Sequence, residues 1–425
     1  MMKDKFGKEH RFEYKWEVYE QVVDAEIEAG AIFGQIEAIA LYNQRKVLQA
    51  FADNNVGERH LKGSTGYGYG DIGRDMLCKL YADIFGCESA LVSPLITGGT
   101  HALAIGLFAL LRPGDTLLSV TGKPYDTLDS IINGDGAGSM KEYDIRYQQV
   151  DLIGDEFDYD GIRQAMLQYH PKVVFITRSR GYSSRNALSV QAIGECISFV
   201  KEIDASVLVF VDNCYGEFVD YEEPTEVGAD LMAGSLIKNV GGGLAPTGGY
   251  LAGTKACVEQ ASYRLTAPGI GNEVGSYAYG YQYYYQGLFM APHVVGGAVK
   301  SSVLFSQVFS KAGYKTIPAP GNKPNDIICS IVFDTEAELI AFIRAIQKVS
   351  PIDSNVVPYP WDMPGYQDQV IMAAGTFVGG ASIELSADAP IKKPYIAYLQ
   401  GALTYEHAEI ACEACLNAVK EAKNG

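Results

Sequence analysis

The feature that most constrains the fold is an alternation of short apolar segments with amphipathic helical patterns between residues 90 and 252. The apolar segments have the length of strands, and helical patterns such as His101–Leu111 and Val190–Glu202 separate them. Strands that alternate with helices form a mostly parallel sheet covered on both faces. The sequence therefore predicts an α/β fold, with strands at Ala90–Ser93, Thr116–Val120, Val173–Thr177, Val207–Asp212, Ala229–Leu236 and Gly249–Ala252.

The two ends of the chain follow other patterns. Residues 12–53 contain no Pro and repeat apolar residues at a spacing of three and four, which predicts a long helix. A Tyr-rich stretch at 277–286 leads into a further helical pattern. We therefore expect an N-terminal helical arm (1–60), a large domain (61–291) and a small C-terminal α+β domain (292–425). The predicted elements of the C-terminal domain are helices at about 292–312, 335–349 and 404–422, and strands at 326–333, 369–374 and 381–385.

Charge and composition exclude several classes of partner. The 425 residues include 34 Lys and Arg against 51 Asp and Glu, a formal net charge of −17. An excess of negative charge disfavours nucleic acid and anionic membrane surfaces. The longest apolar runs have strand length, so no membrane span is expected.

The eight cysteines indicate neither a disulfide framework nor a metal site. Cys412 and Cys415 form a C-x-x-C pair, but no second pair lies at zinc spacing and both occupy an apolar helical pattern. The N-terminus is charged and has no apolar segment typical of a signal peptide. We expect packed thiols, no bound metal and a cytoplasmic protein.

One segment places a carboxylate and a lysine at the ends of adjacent strands. A strand ends at Asp212, and the next ends just before Lys238, 26 residues later. Ligands bind at the carboxyl ends of parallel strands, so both side chains are expected in one crevice. Lysine forms Schiff bases with carbonyl cofactors, and the glycines at 241–243 allow close approach of a bulky ligand. The alternative is a lysine whose ammonium simply reaches water.

Two further features fall at the same edge of the sheet. Gly-Gly-Thr at 98–100 joins a strand to a helix, and backbone N–H groups at a helix N-terminus bind phosphate. The alternative is a plain N-cap by Thr97 or Thr100. Tyr125 follows another strand and could stack on a planar ring. We call the helix N-terminus at 98–100 the phosphate cup. Together with an aromatic ring, a carboxylate and a lysine, it makes the site that pyridoxal phosphate needs.

Several long segments resemble fold-type I pyridoxal phosphate enzymes, and more narrowly the methionine gamma-lyase and cystathionine beta-lyase-like family of aluminium-resistance proteins. The resemblance covers nearly the whole chain. The segments that carry it are GYGYGDIGRD, SPLITGGTHA, GKPYDTLDSI, TRSRGYSSR, VDNCYGEFV, GADLMAGSLIKN, GGGLAPTGGY, TAPGIGNEVG and GTFVGGASIELSAD.

The resemblance implies a fold and a role for each matching residue. The fold is a mostly parallel seven-stranded sheet in a large domain plus a smaller C-terminal domain. Lys238 is implied as the Schiff-base lysine and Asp212 as the partner of the pyridine nitrogen. Tyr125 is implied as the stacking ring, and the phosphate donors are implied to be Gly99, Thr100 and Ser235.

The resemblance also implies a shared site. In the relatives, a Tyr and an Arg from a neighbouring subunit complete the phosphate site, and Tyr67, Tyr69 and Arg74 are the candidates here. The protein is then at least a dimer, with a tetramer usual among relatives, and the helical arm is expected to pack on another subunit. The candidates for binding a substrate carboxylate are Arg178, Arg180 and Lys392, where Lys392 stands in place of an expected Arg.

These expectations favour a lyase that releases a thiol, a keto acid and ammonia from a sulfur-containing amino acid such as cystathionine, methionine or cysteine. The elimination is either at the β or at the γ carbon. Transamination, aldol cleavage and decarboxylation by the same fold stay open, as does a non-catalytic stress protein, because a fold does not determine its reaction.

Overall fold

The structure is a computed structural model that describes residues 16–363 and 368–424. One compact unit comprises residues 39–293, and a second comprises the described residues up to Ala38 together with those from Val294 onward. The first elements in chain order are α1 (Trp16–Asp53), α2 (Ile72–Ile84), β1 (Ser89–Ser93), α3 (Gly99–Leu110), β2 (Thr116–Ser119), α4 (Asp126–Asn133), β3 (Arg146–Gln149), α5 (Tyr159–Tyr169), β4 (Val173–Thr177), α6 (Val190–Ile203), β5 (Leu208–Asp212), β6 (Leu231–Ser235), β7 (Gly249–Gly253), α7 (Lys255–Leu265) and α8 (Gln282–Lys311). The remaining elements are β8 (Lys315–Ile317), β9 (Ile328–Phe333), α9 (Glu336–Val349), β10 (Val370–Ala373), β11 (Ser386–Pro390), β12 (Tyr395–Gln400) and α10 (Tyr405–Asn424).

The predicted mostly parallel, seven-stranded sheet is confirmed. Its strand order is β1-β7-β6-β5-β4-β2-β3, and only β7 runs opposite to the others. Pairing aligns Thr177 with Asp212 and Asp212 with Ala233, so β4, β5 and β6 end side by side. The three central strands therefore deliver the residues that follow them to one edge.

Close packing fixes α3 on this sheet. Phe175 and Phe210 are fully buried, with ring centroids 5.5 Å apart. Gly106 of α3 lies against Phe210, where an added Cβ would come within 2.5 Å of the ring. Because a larger residue would force the helix away, this contact helps to hold the N-terminus of α3 beside the ends of the central strands.

The second unit contains a five-stranded antiparallel sheet of order β10-β11-β12-β9-β8. Its core includes the predicted thiols Cys412 and Cys415, which are fully buried in α10. Val18, Val22 and Ala25 of α1 belong to the same core.

The helical arm does not stand apart from its own chain. Its first half contributes to the core of the second unit. In its second half, Asn43 donates hydrogen bonds to the carbonyls of Phe218 and Asp220 at 3.3 and 2.9 Å. The arm therefore has partners within its own chain, and its packing on another subunit stays a prediction. Residues 12–15 of the predicted helix lie outside the described residues. The two units divide after His293, close to the predicted boundary.

Two predicted elements of the C-terminal part were wrong in position. Helix α8 begins at Gln282 and continues through Pro292, because Tyr281, Tyr284 and Tyr285 are buried and draw the Tyr-rich stretch into the fold. The strand predicted at 381–385 is a loop, since Glu384 accepts hydrogen bonds from the N–H groups of Phe377 and Val378 at 2.8 and 2.9 Å.

Other elements gave no usable pattern. Strand β3 is a partly exposed edge strand of sequence RYQQ, and the prediction also lacked α4, α5, α7, β8, β11 and β12. One described helix, α8, is long and apolar enough to cross a membrane by length and composition. Its most apolar window is 67% buried within the protein, as in the core helix of a soluble protein.

Candidate active site

Lys238 lies three residues beyond the end of β6 and starts a tight turn. The turn continues through a short 3-10 segment at Asn239–Gly241, and Gly242 and Gly243 take φ values of +53° and +74°. A Cβ on Gly241 would lie 1.7 Å from the carbonyl oxygen of Leu236. The glycine run therefore permits a turn that no other residue could make, and the turn presents the lysine at the sheet edge.

The Lys238 amine is partly buried among acidic side chains and one aromatic ring. Its Nζ lies 3.9 Å from the centroid of the Tyr215 ring. Burial by itself lowers the pKa of this amine, but the acidic groups of Cys214, Tyr215, Tyr125 and Asp212 raise it, and the net direction is upward. In the cofactor-free protein the protonated form of this amine is therefore favoured.

Asp212 ends β5 with its side chain almost completely buried. One carboxylate oxygen accepts a hydrogen bond from the backbone N–H of Cys214 at 3.1 Å, and the Cys214 thiol also bonds the carboxylate. Burial raises the pKa of Asp212, while the nearby charge of Lys238 lowers it. A buried carboxylate of this kind needs a cationic or N–H partner, which a protonated ring nitrogen can provide.

The N-terminus of α3 has the form of an anion cup. Its N-cap is Gly98, so neither Thr97 nor Thr100 acts as the cap, and no side chain occupies the cap position. An added Cβ on Gly99 would lie 3.1 Å from the Cys214 sulfur and 3.5 Å from Cβ of Ser235. The helix start, Ser235 and the residues after β5 are therefore adjacent, and backbone N–H groups face a possible phosphate.

Tyr125 connects the cup to the charged pair. Its side chain is hydrogen-bonded to that of Thr100, and burial, followed by Asp212 and Cys214, raises the pKa of the phenol. The structure thus brings together the predicted residues Lys238, Asp212, Tyr125, Gly99, Thr100 and Ser235.

The loop at 63–71 separates its predicted residues into two groups. Tyr67 and Tyr69 are exposed, at 74% and 68%. Arg74 is buried and braces the loop, donating to the carbonyl of Gly68 at 3.1 Å and pairing with Asp75 at 2.9 Å. The two tyrosines are available to a neighbouring molecule, whereas Arg74 already has partners in its own chain.

The predicted carboxylate-binding cations are placed differently from one another. Arg178 is fully buried, donates to Asn213 at 2.8 Å and lies 3.6 Å from Glu223. This position does not suit the expected contact with a substrate, because none of the side chain is exposed. Arg180 is also buried, at 4% exposure. Lys392 is exposed on the second unit and pairs with Asp368 at 2.7 Å.

Sequence reasoning missed three residues that follow Asp212, namely Cys214, Tyr215 and Glu217. The signal was the segment NCYGEF, in which polar and aromatic residues directly follow a mostly apolar strand that ends in Asp212. Glu217 is fully buried, and Tyr250 donates a hydrogen bond to it at 2.8 Å. Burial, reinforced by the charge of Glu223, raises the pKa of Glu217 to about 8. At neutral pH the protonated form of Glu217 is therefore favoured.

We predict that Glu217→Gln changes how stability depends on pH. The ordinary pKa of Glu217 is 4.5 and the folded value about 8, so the folded protein keeps a proton that the unfolded chain has lost. The free energy of unfolding of the wild type then contains a part that falls by up to ~1.4 kcal/mol per pH unit as the pH rises from about 5 to 8. Gln is neutral throughout and lacks this part.

Urea unfolding at a series of pH values measures the difference. The exposed Glu202→Gln serves as the control and should follow the wild type. Parallel curves for Glu217→Gln and the wild type would show that Glu217 is ionised in the folded protein.

The convergent residues fit pyridoxal phosphate. The cup has N–H donors and no capping side chain, the glycine at position 99 leaves room between Cys214 and Ser235, and a buried carboxylate faces a lysine. The cup can hold an anionic phosphate, the buried carboxylate can pair with a protonated ring nitrogen, and the lysine can bond to an aldehyde.

Comparison with known proteins identifies the family of this chain. A sequence profile of the methionine gamma-lyase family matches residues 18–420. The Bacillus subtilis protein YnbB is 52% identical over 397 residues, covering 92% of this chain and 94% of that protein. A solved structure from Clostridium acetobutylicum, described as a candidate cystathionine beta-lyase involved in aluminum resistance, superposes with a TM-score of 0.93 at 48% identity, covering 95% and 96% of the two chains.

A carbon-sulfur lyase involved in aluminum resistance from Clostridium novyi NT superposes with a TM-score of 0.91 at 49% identity, covering 95% of this chain and 96% of that one. The pyridoxal-5'-phosphate dependent protein YhfS of Escherichia coli has a TM-score of 0.62 at 15% identity, which shows the shared fold alone. The fold and the family together indicate pyridoxal 5'-phosphate as the cofactor. The match over nearly the whole chain shows that this protein belongs to the methionine gamma-lyase family.

Proposed function

We propose that this protein is a pyridoxal phosphate-dependent carbon–sulfur lyase that acts on a sulfur-containing amino acid such as cystathionine, methionine or cysteine. The observation that carries the proposal is the convergence of Lys238, Asp212 and the α3 cup in a chain of this family. The names of the two clostridial relatives support the cleavage of a carbon–sulfur bond. The products are a thiol, a keto acid and ammonia.

Each convergent residue has a place in holding the cofactor. The amine of Lys238 would bond to the aldehyde carbon, and Asp212 would pair with the ring nitrogen. Tyr125 would lie against the ring, and the N–H groups of Gly99 and Thr100 with the hydroxyl of Ser235 would hold the phosphate. When bound, pyridoxal phosphate supplies an electron-accepting ring conjugated to the α carbon of the substrate.

Proton movement falls to Lys238. Its amine lies at the lysine turn with Asp212 and Tyr215 as neighbours. When free of the cofactor and neutral, it would take the proton from the α carbon of the substrate and hold it as an ammonium until the thiol leaves. Asp212 keeps a negative charge in a buried position, where its effect on the ring nitrogen is larger than in water.

We further propose that the active protein is a homo-oligomer, at least a dimer, whose sites are shared. Tyr67 and Tyr69 project from a loop held by Arg74, and Tyr279, which is 91% exposed, lies in the segment packed beside it. A cluster of exposed aromatic rings is typical of a surface that another chain covers. In the oligomer one of the two tyrosines would reach the phosphate of the neighbouring subunit.

We place the protein in the cytoplasm, since its cysteines are thiols and no disulfide joins them.

We predict that the cofactor-loaded protein releases keto acid and thiol in equal amounts from at least one of cystathionine, methionine and cysteine. Lys238→Ala should abolish release because it removes the side chain that is proposed to take the proton. Asp212→Asn should keep the cofactor and lose about 10²–10³-fold in turnover, since only the charge opposite the ring nitrogen is removed. A keto acid assay and a thiol reagent measure the two products.

Other products would contradict this proposal. Keto acid without thiol would indicate transamination, and carbon dioxide would indicate decarboxylation. Equal loss of cofactor and turnover in Asp212→Asn would indicate that Asp212 holds the fold rather than the ring.

We predict that inactive variants complement each other if the site is shared. Lys238→Ala lacks the lysine, and the double variant Tyr67→Ala, Tyr69→Ala lacks the loop side chains. Half of randomly formed dimers are hybrids with one complete site, so a mixture refolded together should regain about a quarter of the wild-type rate. Proof of hybrid formation by differently tagged subunits is the control. Hybrids without activity, or an active monomer in light scattering, would contradict the shared site.

A further inference from the structure

The loop that follows β5, residues 213–218, carries an unusual backbone. We call it the Tyr215 loop. Tyr215 and Phe218 take φ values of +72° and +62°, in the left-handed region that favours glycine. A non-glycine residue there is strained and persists only where its surroundings enforce the conformation. Such positions cluster at functional sites.

A buried polar network enforces this conformation. Arg178 donates to the side-chain oxygen of Asn213 at 2.8 Å, and the Asn213 amide donates to Glu223 at 2.9 Å. The other oxygen of Glu223 accepts from the backbone N–H of Phe218 at 2.8 Å. Both ends of the Tyr215 loop are thereby tied to one carboxylate.

The middle of the loop is fixed from two sides. A Cβ on Gly216 would lie 2.6 Å from the Arg178 side chain, so the loop packs directly on the buried guanidinium. The amide of Asn239, the residue after Lys238, donates to the carbonyl of Glu217 at 2.9 Å. This last bond sets the distance between the Tyr215 loop and the lysine turn.

One of the two left-handed residues, Tyr215, is the one whose ring contacts the lysine. The Lys238 Nζ lies 3.9 Å from the Tyr215 ring centroid, well within the range at which a cation is attracted to an aromatic face. The strain, the network and the bond from Asn239 all serve to hold this ring in place.

We propose that Tyr215 is a positioning residue whose ring face holds the Lys238 amine in its protonated form, both before the cofactor is bonded and after the amine has taken up a proton during turnover. The inference rests on the proposed function, which requires the amine to be released and recaptured in every turnover. A fixed site for the free ammonium returns it to the same place each time. Other groups facing the amine are Asp212 from β5, Cys214 and Glu217 from the Tyr215 loop, and Tyr125 at the start of α4.

The test measures the amine in the cofactor-free, full-length protein. Trace acetylation at a series of pH values, with mass spectrometry of the peptide that contains Lys238, gives the pKa of this amine. Tyr215→Leu should lower it by roughly half to one pKa unit, because the ring stabilises the charged form by about 1 kcal/mol. Tyr215→Phe keeps the ring face and loses only the hydroxyl, so its Lys238 pKa should stay closer to that of the wild type than the pKa in Tyr215→Leu does.

Tyr215→Gly separates the ring from the backbone strain. It relieves the strain but lacks the ring, so it should behave like Tyr215→Leu. An unchanged pKa in both Leu and Gly variants that retain wild-type circular dichroism would overturn the inference, and so would a Phe variant as low as Leu. A wild type that takes up no pyridoxal phosphate would instead reject the proposed function, since the acetylation measurement does not depend on the cofactor.

Discussion

The rest of the site depends on a buried carboxylate facing a lysine at the edge of a parallel sheet. Asp212 is 3% exposed, and removing a charge from water costs several kcal/mol unless partners compensate. The Cys214 N–H and the Lys238 amine supply part of that compensation. The carboxylate can accept a further hydrogen bond from the crevice, and a protonated ring nitrogen there can donate it. The charge that makes the site costly without its cofactor is therefore the charge that the proposed chemistry uses.

The residues around Asp212 and Lys238 are held rigidly, because buried hydrogen bonds or close packing fix each loop that reaches them. Arg178, Asn213 and Glu223 brace the loop after β5, glycines 241–243 permit the lysine turn, and Gly106 lets α3 lie close to the sheet. None of these groups is expected to touch the substrate. Their common effect is to keep Lys238, Asp212 and the cup in one geometry, which catalysis by positioning requires.

The sequence predicted the parallel sheet and the six residues that converge, since strand ends and a glycine-rich helix start are local patterns. It did not predict that Arg178 and Arg74 brace loops. The sequence around such an arginine does not show whether its partner is a substrate or a buried group of the same chain. The edge strand β3 has no apolar alternation, and the loop made by Glu384 depends on backbone groups that the sequence does not mark. The conformation of the Tyr215 loop could not be predicted, because its two left-handed residues, Tyr215 and Phe218, are not glycines and so give no sequence signal for a positive φ.

The most direct test of the central claim is to locate the cofactor on the chain. Borohydride reduction of the protein loaded with pyridoxal phosphate, followed by proteolysis and mass spectrometry, fixes the attachment point. The account predicts a single phosphopyridoxyl adduct on Lys238 and its absence from Lys238→Ala. An adduct on a different lysine, or a wild type that carries none, would contradict it.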